Sequence, residues 1–459
     1  MTYRSSNRAL EQKAERIFDP LFASAEISAV FSGKALMTRM LQFEWALAAA
    51  LEKQGVIPQG VAAAIQAVTV DDLNIDEIAQ RTADAGNLAI PFVAALTTCV
   101  AKERPELSGY VHYGATSQDV LDTSVILQFR DALTHIEDEL GAICAELVSL
   151  VTRYKSTLLP GRTWLQQGPP VTLGLKLAGW LDALQRHRER AQQALARCCV
   201  LQFGGAVGTL AALGDSGPNV TREVARGLEL PEPAMPWHTH RDRLAEIAAT
   251  LGMICGTLGK IGRDMSLLMQ SEVAEAFEPV AEGRGGSSTM PHKRNPVASS
   301  VLLAAAVRAP GLVATMLASM VQEHERGVGG WQAEWETLPE LFRLIGGALR
   351  AARQVIGGVT VDAEAMLEHL KMHGGVALSE AVSFALAAKI GKARAHRLLE
   401  QVTREAGERG ISLRNALLSS AEIMEHLSTD EIDSALDPAR YLGSTDVYIA
   451  KVLAREGKG

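Results

Sequence analysis

Ile126-Leu-Gln-Phe-Arg-Asp-Ala-Leu-Thr-His-Ile-Glu-Asp-Glu-Leu-Gly-Ala-Ile-Cys-Ala-Glu-Leu-Val-Ser-Leu150 decides the fold. Its apolar residues Ile126, Phe129, Leu133, Ile136, Leu140, Ile143, Leu147 and Leu150 advance by alternating steps of three and four. The mean step of 3.5 is the seam of an α-helix packed lengthwise against other helices, and a strand, with its period of two, cannot present it. The pattern extends over residues 118–155. At 1.5 Å per residue it predicts a helix of roughly 50 Å, too long for one small globule.

Outward from this helix the chain reads as helical throughout. Leu36, Met40, Phe43, Leu47 and Leu51 mark an amphipathic helix over 35–55, closed by Gly55 and Pro58. Further helical patterns cover 171–200, 241–277, 297–321 and 334–357. From about residue 360 the segments shorten, as expected of a separate C-terminal helical domain. No internal repeat and no convincing alternating strand stands out. The run Ala298 to Val321 is the most apolar, but Arg308 and Pro310 interrupt it, so it reads as a buried helix pair rather than a membrane span. In the turn Ala85 to Pro91, Asn87 suits either a helix cap or a ligand contact.

Composition agrees. The chain has 459 residues, 47% of them hydrophobic and only 5% aromatic, which favours helix-on-helix packing in more than one domain. A net charge of −8 argues against a nucleic-acid partner, so an anionic ligand must be drawn by a local basic pocket. Cys99, Cys144, Cys198, Cys199 and Cys255 form no C-x-x-C pair and read as reduced core residues of a cytoplasmic protein. The first residues lack the apolar core of a secretory signal.

One stretch breaks the helical texture: Arg284-Gly-Gly-Ser-Ser-Thr-Met-Pro-His-Lys-Arg-Asn-Pro296. Its glycines and prolines bar a regular helix, and its hydroxyls, cations and amide suit a small, multiply anionic ligand. It is neither a G-x-x-x-x-G-K-[ST] phosphate loop nor a G-x-S-x-G nucleophile elbow. Gly286 to Asn295 resembles the G-S-S-x-M-P-x-K-x-N motif of the fumarase/aspartase superfamily.

The resemblance covers essentially the whole chain. It implies an all-α fold, with an elongated central helical bundle flanked by small N- and C-terminal helical domains. The boundaries expected are 1–113, 114–359 and 360–459. It also implies a homotetramer whose active sites each gather segments from three subunits. From the charge and the interrupted apolar run, neither a membrane nor a nucleic-acid partner is expected.

Two further segments carry the resemblance. His112-Tyr-Gly-Ala-Thr-Ser-Gln-Asp119 opens the long helix, and in the superfamily the pair matching Thr116 and Ser117 holds a substrate carboxylate. Gly161-Arg-Thr-Trp-Leu-Gln166 stands where the elimination lyases carry T-H-x-Q with an acid/base histidine. Trp164 replaces that histidine, and an indole N–H cannot exchange a proton near neutral pH. The departure speaks against fumarase, argininosuccinate and adenylosuccinate chemistry. It is similar to what bacterial carboxymuconate cycloisomerases carry, as are Leu201 to Thr209, Pro236 to Arg243, Gln322 to Arg326 and Trp331 to Glu336. Trp164 serves either as core filler or as a wall shaping a pocket for a planar diene.

The activity so implied is closure of 3-carboxy-cis,cis-muconate, a small tricarboxylate, to a lactone in protocatechuate breakdown. Ser287 matches the superfamily's proton-shuttling serine, with a purely binding hydroxyl as the alternative. Lys293, Asn295 and Arg326 would stabilise the developing negative charge, with Thr116, Ser117, Trp164 and Gln166 binding substrate. His238 and His240 suggest a hydrogen-bonded role rather than a metal pair, and no metal or organic cofactor is signalled. The rivals are another lyase of the superfamily, such as an adenylosuccinate-type lyase, and a non-catalytic crystallin-like protein.

Overall fold

The computed structural model describes residues 17–279, 285, 286, 290 and 293–456. Helices dominate. α1 (Gly33–Lys53) starts at Ser32, whose hydroxyl accepts from the Ala35 N–H, and buries Met40, Phe43, Leu47 and Leu51. α2 (Ala89–Glu103) is capped by Asn87, whose Oδ1 accepts from the N–H groups of Ala89 and Ile90 at 3.1 and 3.3 Å. Asn87, one residue before the N-cap position Leu88, thus satisfies two of the helix's first donors.

α3 (Ser117–Arg153) is one unbroken helix of 37 residues. Its seam is buried from Ile126 through Leu147, but Leu150 is only half-buried, and Val151 takes its place in the core. A straight helix turns every 3.6 residues, so a strict seven-residue repeat drifts off the buried face.

Two strands follow that the reading by alternation passed over. β1 (Leu158–Thr163) and β2 (Gln166–Thr172) form an antiparallel hairpin with an irregularity between Pro160 and Arg162. Pro160, Pro169 and Pro170 withhold ladder donors and hide the strand pattern. After α4 (Leu173–Cys198), α5 runs only from Asp242 to Leu268, short of the expected residue 277. A turn at 269–273 ends it, and β3 (Ala276–Phe277) precedes the motif loop.

α6 (Val297–Ala318) is a single helix rather than the expected pair. It passes through Pro310, whose missing N–H leaves the Ala306 carbonyl without its intrahelical donor. α7 (Gly330–Gly357) leads to β4 (Thr360–Val361), which pairs with β3. α8 (Ala363–Lys371) and further helices of at most 18 residues complete the described chain.

The chain divides into two compact units: Met1–Leu140 with His187–Gly259 and Val301–Ala351, and Gly141–Arg186 with Lys260–Ser300 and Ala352–Gly459. The first buries Phe43, Phe92, Phe129, Phe203, Trp237 and Phe342, with the Phe129 and Phe342 rings stacked at 5.1 Å. Within the second, Val382, Leu386, Leu399, Leu413, Leu417 and Ile432 form a cluster of their own.

Candidate active site

In the first unit the Thr116–Ser117 turn is built on one carboxylate. Asp119 is fully buried and accepts from Thr116 N at 3.0 Å, Gly204 N at 2.9 Å, Gly205 N at 2.8 Å, Gln202 Nε2 at 3.2 Å and His238 Nε2 at 2.9 Å. Burying a carboxylate is tolerated when its lone pairs are satisfied in this way. Asp119 thus welds the start of α3 to the 201–209 segment. Gly205 allows the weld: its φ of +69° is left-handed, and a Cβ there would meet Gly114 O at 3.2 Å. The Thr116 and Ser117 hydroxyls are left without a hydrogen bond among the described residues, at a helix N-terminus suited to an anion.

The same segment holds Arg326. Its Nη2 donates to Ala206 O at 2.9 Å, and no ion pair neutralises it among the described residues. Thr239 Oγ1 donates to His324 O at 2.9 Å, fixing the neighbouring turn. Thr116, Ser117 and Arg326 therefore share one scaffold.

Two buried charge clusters underlie this scaffold. His112 Nδ1 lies 2.6 Å from Glu44 Oε1. Burial disfavours the charged imidazole, but the Glu44 charge and hydrogen bond, with Asp119, raise it above its ordinary value. Arg241 donates through Nη1 to Asp122 at 2.6 Å and through Nε to both Glu334 oxygens at 3.0 and 3.1 Å, with its guanidinium 5.0 Å from the Trp237 ring. One guanidinium faces two buried carboxylates. Burial pushes Glu334 up to about 7; Arg241 opposes this and Asp122 adds to it. His238 serves Asp119, while His240 is exposed, so the two histidines do not converge on one ligand.

The second unit carries the other candidates. Trp164 is 99% exposed at the hairpin tip, so it is not core filler. Trp164 and Leu165 have φ of 51° and 64°, and Gln166 beside them is exposed. Below the tip, Arg162 grips Glu275 with both terminal nitrogens, at 2.9 and 2.6 Å.

Of the motif loop, Ser287 lies outside the described residues. Lys293 is exposed, without an ion pair among them. Asn295 is anchored through its N–H to Gly285 O at 2.9 Å and through Nδ2 to Gly286 O at 3.4 Å. Arg294 donates through Nη2 to Glu278 O at 2.9 Å and lies 4.4 Å over the Phe277 ring. Asp119, Glu275 and Glu278 were not singled out by sequence reasoning, because most of the groups they hold lie far along the chain.

An all-α chain with this loop, this helix N-terminus and this hairpin defines a class. Residues 22–311 match the family described as lyase, and residues 375–452 match that described as adenylosuccinate lyase C-terminus. The chain belongs to the lyase family of the fumarase/aspartase superfamily. It is 51% identical to the 3-carboxy-cis,cis-muconate cycloisomerase of Pseudomonas aeruginosa, over 96% of either chain. The enzyme of that name from Acinetobacter baylyi is 43% identical over 97% of this chain and 99% of its own. The crystal structure of 3-carboxy-cis,cis-muconate lactonizing enzyme from Pseudomonas putida matches with a TM-score of 0.91 and 47% identity, over 96% of this chain and 99% of that one.

Proposed function

We propose that this chain is a cycloisomerase that converts 3-carboxy-cis,cis-muconate to 4-carboxymuconolactone in protocatechuate degradation. The observation that carries the reading is Trp164. It stands exposed on a hairpin tip where the elimination lyases need an acid/base histidine, beside the otherwise intact Lys293 and Asn295 of the loop motif.

In the reaction one carboxylate oxygen bonds to an alkene carbon. The electron pair of the double bond moves into the neighbouring carboxylate, and a proton is delivered to the carbon α to it. No atom is lost. The charge developing on that carboxylate is the chief demand, and Lys293, Asn295 and Arg326 meet it. Thr116 and Ser117 hold another carboxylate with their hydroxyls and the helix N-terminus. Ser287 delivers the proton, and Trp164 and Gln166 frame the diene.

Thr116, Ser117 and Arg326 belong to one compact unit and Trp164, Gln166, Lys293 and Asn295 to the other. In this reading each site is completed by segments of three subunits of a homotetramer. The exposed apolar face of α6, with Val307 at 80% and Leu317 at 52% exposure, fits subunit contact. The division at 1–113, 114–359 and 360–459 and a cytoplasmic location belong to the same reading.

Proton NMR of the purified protein with 3-carboxy-cis,cis-muconate tests it. The lactone should form, and adenylosuccinate should remain intact. Adenylosuccinate cleavage without lactone would favour the lyase alternative.

A further inference from the structure

We propose that Arg162, Glu275 and His369 form a positioning device for the hairpin tip that carries Trp164 and Gln166. The inference rests on the proposed reaction only for the role of that tip.

The tip needs an outside hold. The β1–β2 ladder ends with Arg162 opposite Gln167 and Thr163 opposite Gln166, leaving Trp164 and Leu165 as the turn. Both residues are left-handed, a backbone disfavoured for bulky side chains, and both are exposed. The ladder below them is weak, with a register irregularity beside Arg162 and proline at 160, 169 and 170.

Glu275 supplies the hold. Its side chain is fully buried, and both its oxygens take the Arg162 fork. His369 Nδ1, on α8, lies 2.6 Å from the same Oε1 that Arg162 Nη2 engages. The backbone of Glu275 is itself pinned: its N–H donates to Leu268 O at 2.9 Å, and its carbonyl accepts from Asp362 N at 2.9 Å. A planar guanidinium on a fixed carboxylate sets direction as well as distance. Arg162, two residues before Trp164, is therefore oriented from a rigid point. Arg162, Gln166 and His369 also line one open cavity of about 400 Å³, so the device and the tip share a wall.

The test uses the full-length assembled protein with Arg162→Lys and Glu275→Gln, each alone and combined with Trp164→Ala. Steady-state kinetics on 3-carboxy-cis,cis-muconate and amide hydrogen exchange are the readouts. Arg162→Lys, which keeps the charge and loses the fork, is expected to lower kcat about tenfold or more with little change in KM. In the Trp164→Ala background the same change should cost clearly less, because one of the two side chains it positions is gone and only Gln166 remains. Exchange of the 163–167 amides should quicken in Glu275→Gln while α3 stays protected. Equal fold-losses in both backgrounds, or unchanged exchange at the tip, would overturn the proposal. A wild-type protein inert toward the substrate would refute the assigned reaction, and the exchange arm would still decide the positioning role.

Discussion

Glu278 caps Ala298 across the motif loop. Its Oε2 accepts from the Ala298 N–H at 2.9 Å, and its Oε1 accepts from the N–H and hydroxyl of Ser299 at 2.7 and 2.6 Å. Glu278, ahead of the loop, thus satisfies the second and third N–H donors of α6, the helix just after it, and its negative charge suits that helix end. Both ends of the segment bearing Lys293 and Asn295 are tied to one buried carboxylate.

Glu278→Ala should therefore loosen the loop as well as the helix. Loss of such a cap typically costs about 1–2 kcal/mol, and the expected outcome is a lower melting temperature together with a raised KM. Thermal unfolding and steady-state kinetics on the same preparation check it. A melting shift without any kinetic change would confine Glu278 to the fold.

The loop residues should separate by role. Ser287→Ala should lower kcat with substrate binding nearly unchanged, as expected of a proton shuttle. Lys293→Ala and Arg326→Ala should each lose about 10²–10³ in kcat and also weaken binding, since in the proposed reaction each removes a cation that stabilises the developing charge. Turnover at the wild-type rate in Ser287→Ala would remove the serine from the mechanism.

Trp164 should matter for chemistry more than for the fold of the chain. Trp164→Ala is expected to cut kcat/KM by about tenfold or more while circular dichroism stays unchanged, because the side chain is 99% exposed within its own chain. Retained kcat/KM would leave the tryptophan without a part in the site.

Stability should fall as pH rises. Glu334 titrates near 7 in the folded protein, because burial dominates, against an ordinary value of 4.5. Between these values the native state holds a proton that the unfolded chain has released. The resulting stabilisation is full below about pH 4.5 and lost as pH passes about 7, a change on the order of 3 kcal/mol. His112 acts in the same direction, since its raised value stabilises the fold below 6.5 and the effect is lost above its folded value. Melting temperature measured from pH 5 to 8 should decline, and Glu334→Gln should flatten the decline. A profile as steep in the variant would assign it to other groups.

The sequence disclosed periodicity and local motifs well, and long-range pairing poorly. The α3 seam was legible through Leu147 because each residue contributes to one repeating geometry, and it failed at Leu150 where helical drift accumulates. The motifs bearing Thr116, Trp164, Lys293 and Asn295 stood out because a motif is local, while their roles belong to the proposed reaction. The hairpin was hidden by its prolines. Asp119, Glu275 and Glu278 stayed hidden because their partners lie far along the chain: Asp119 with Gly204 and His238, Glu275 with Arg162 and His369, and Glu278 with Ser299. Asn87 lay between these cases, since its contacts to the Ala89 and Ile90 N–H groups are visible only in coordinates.

The central claim is tested most directly by following the ultraviolet absorbance of 3-carboxy-cis,cis-muconate after adding purified wild-type protein in the presence of a metal chelator. Rapid loss of the diene absorbance, with the lactone recovered as product, is the predicted result. Persistent absorbance from a folded, tetrameric protein would contradict the account.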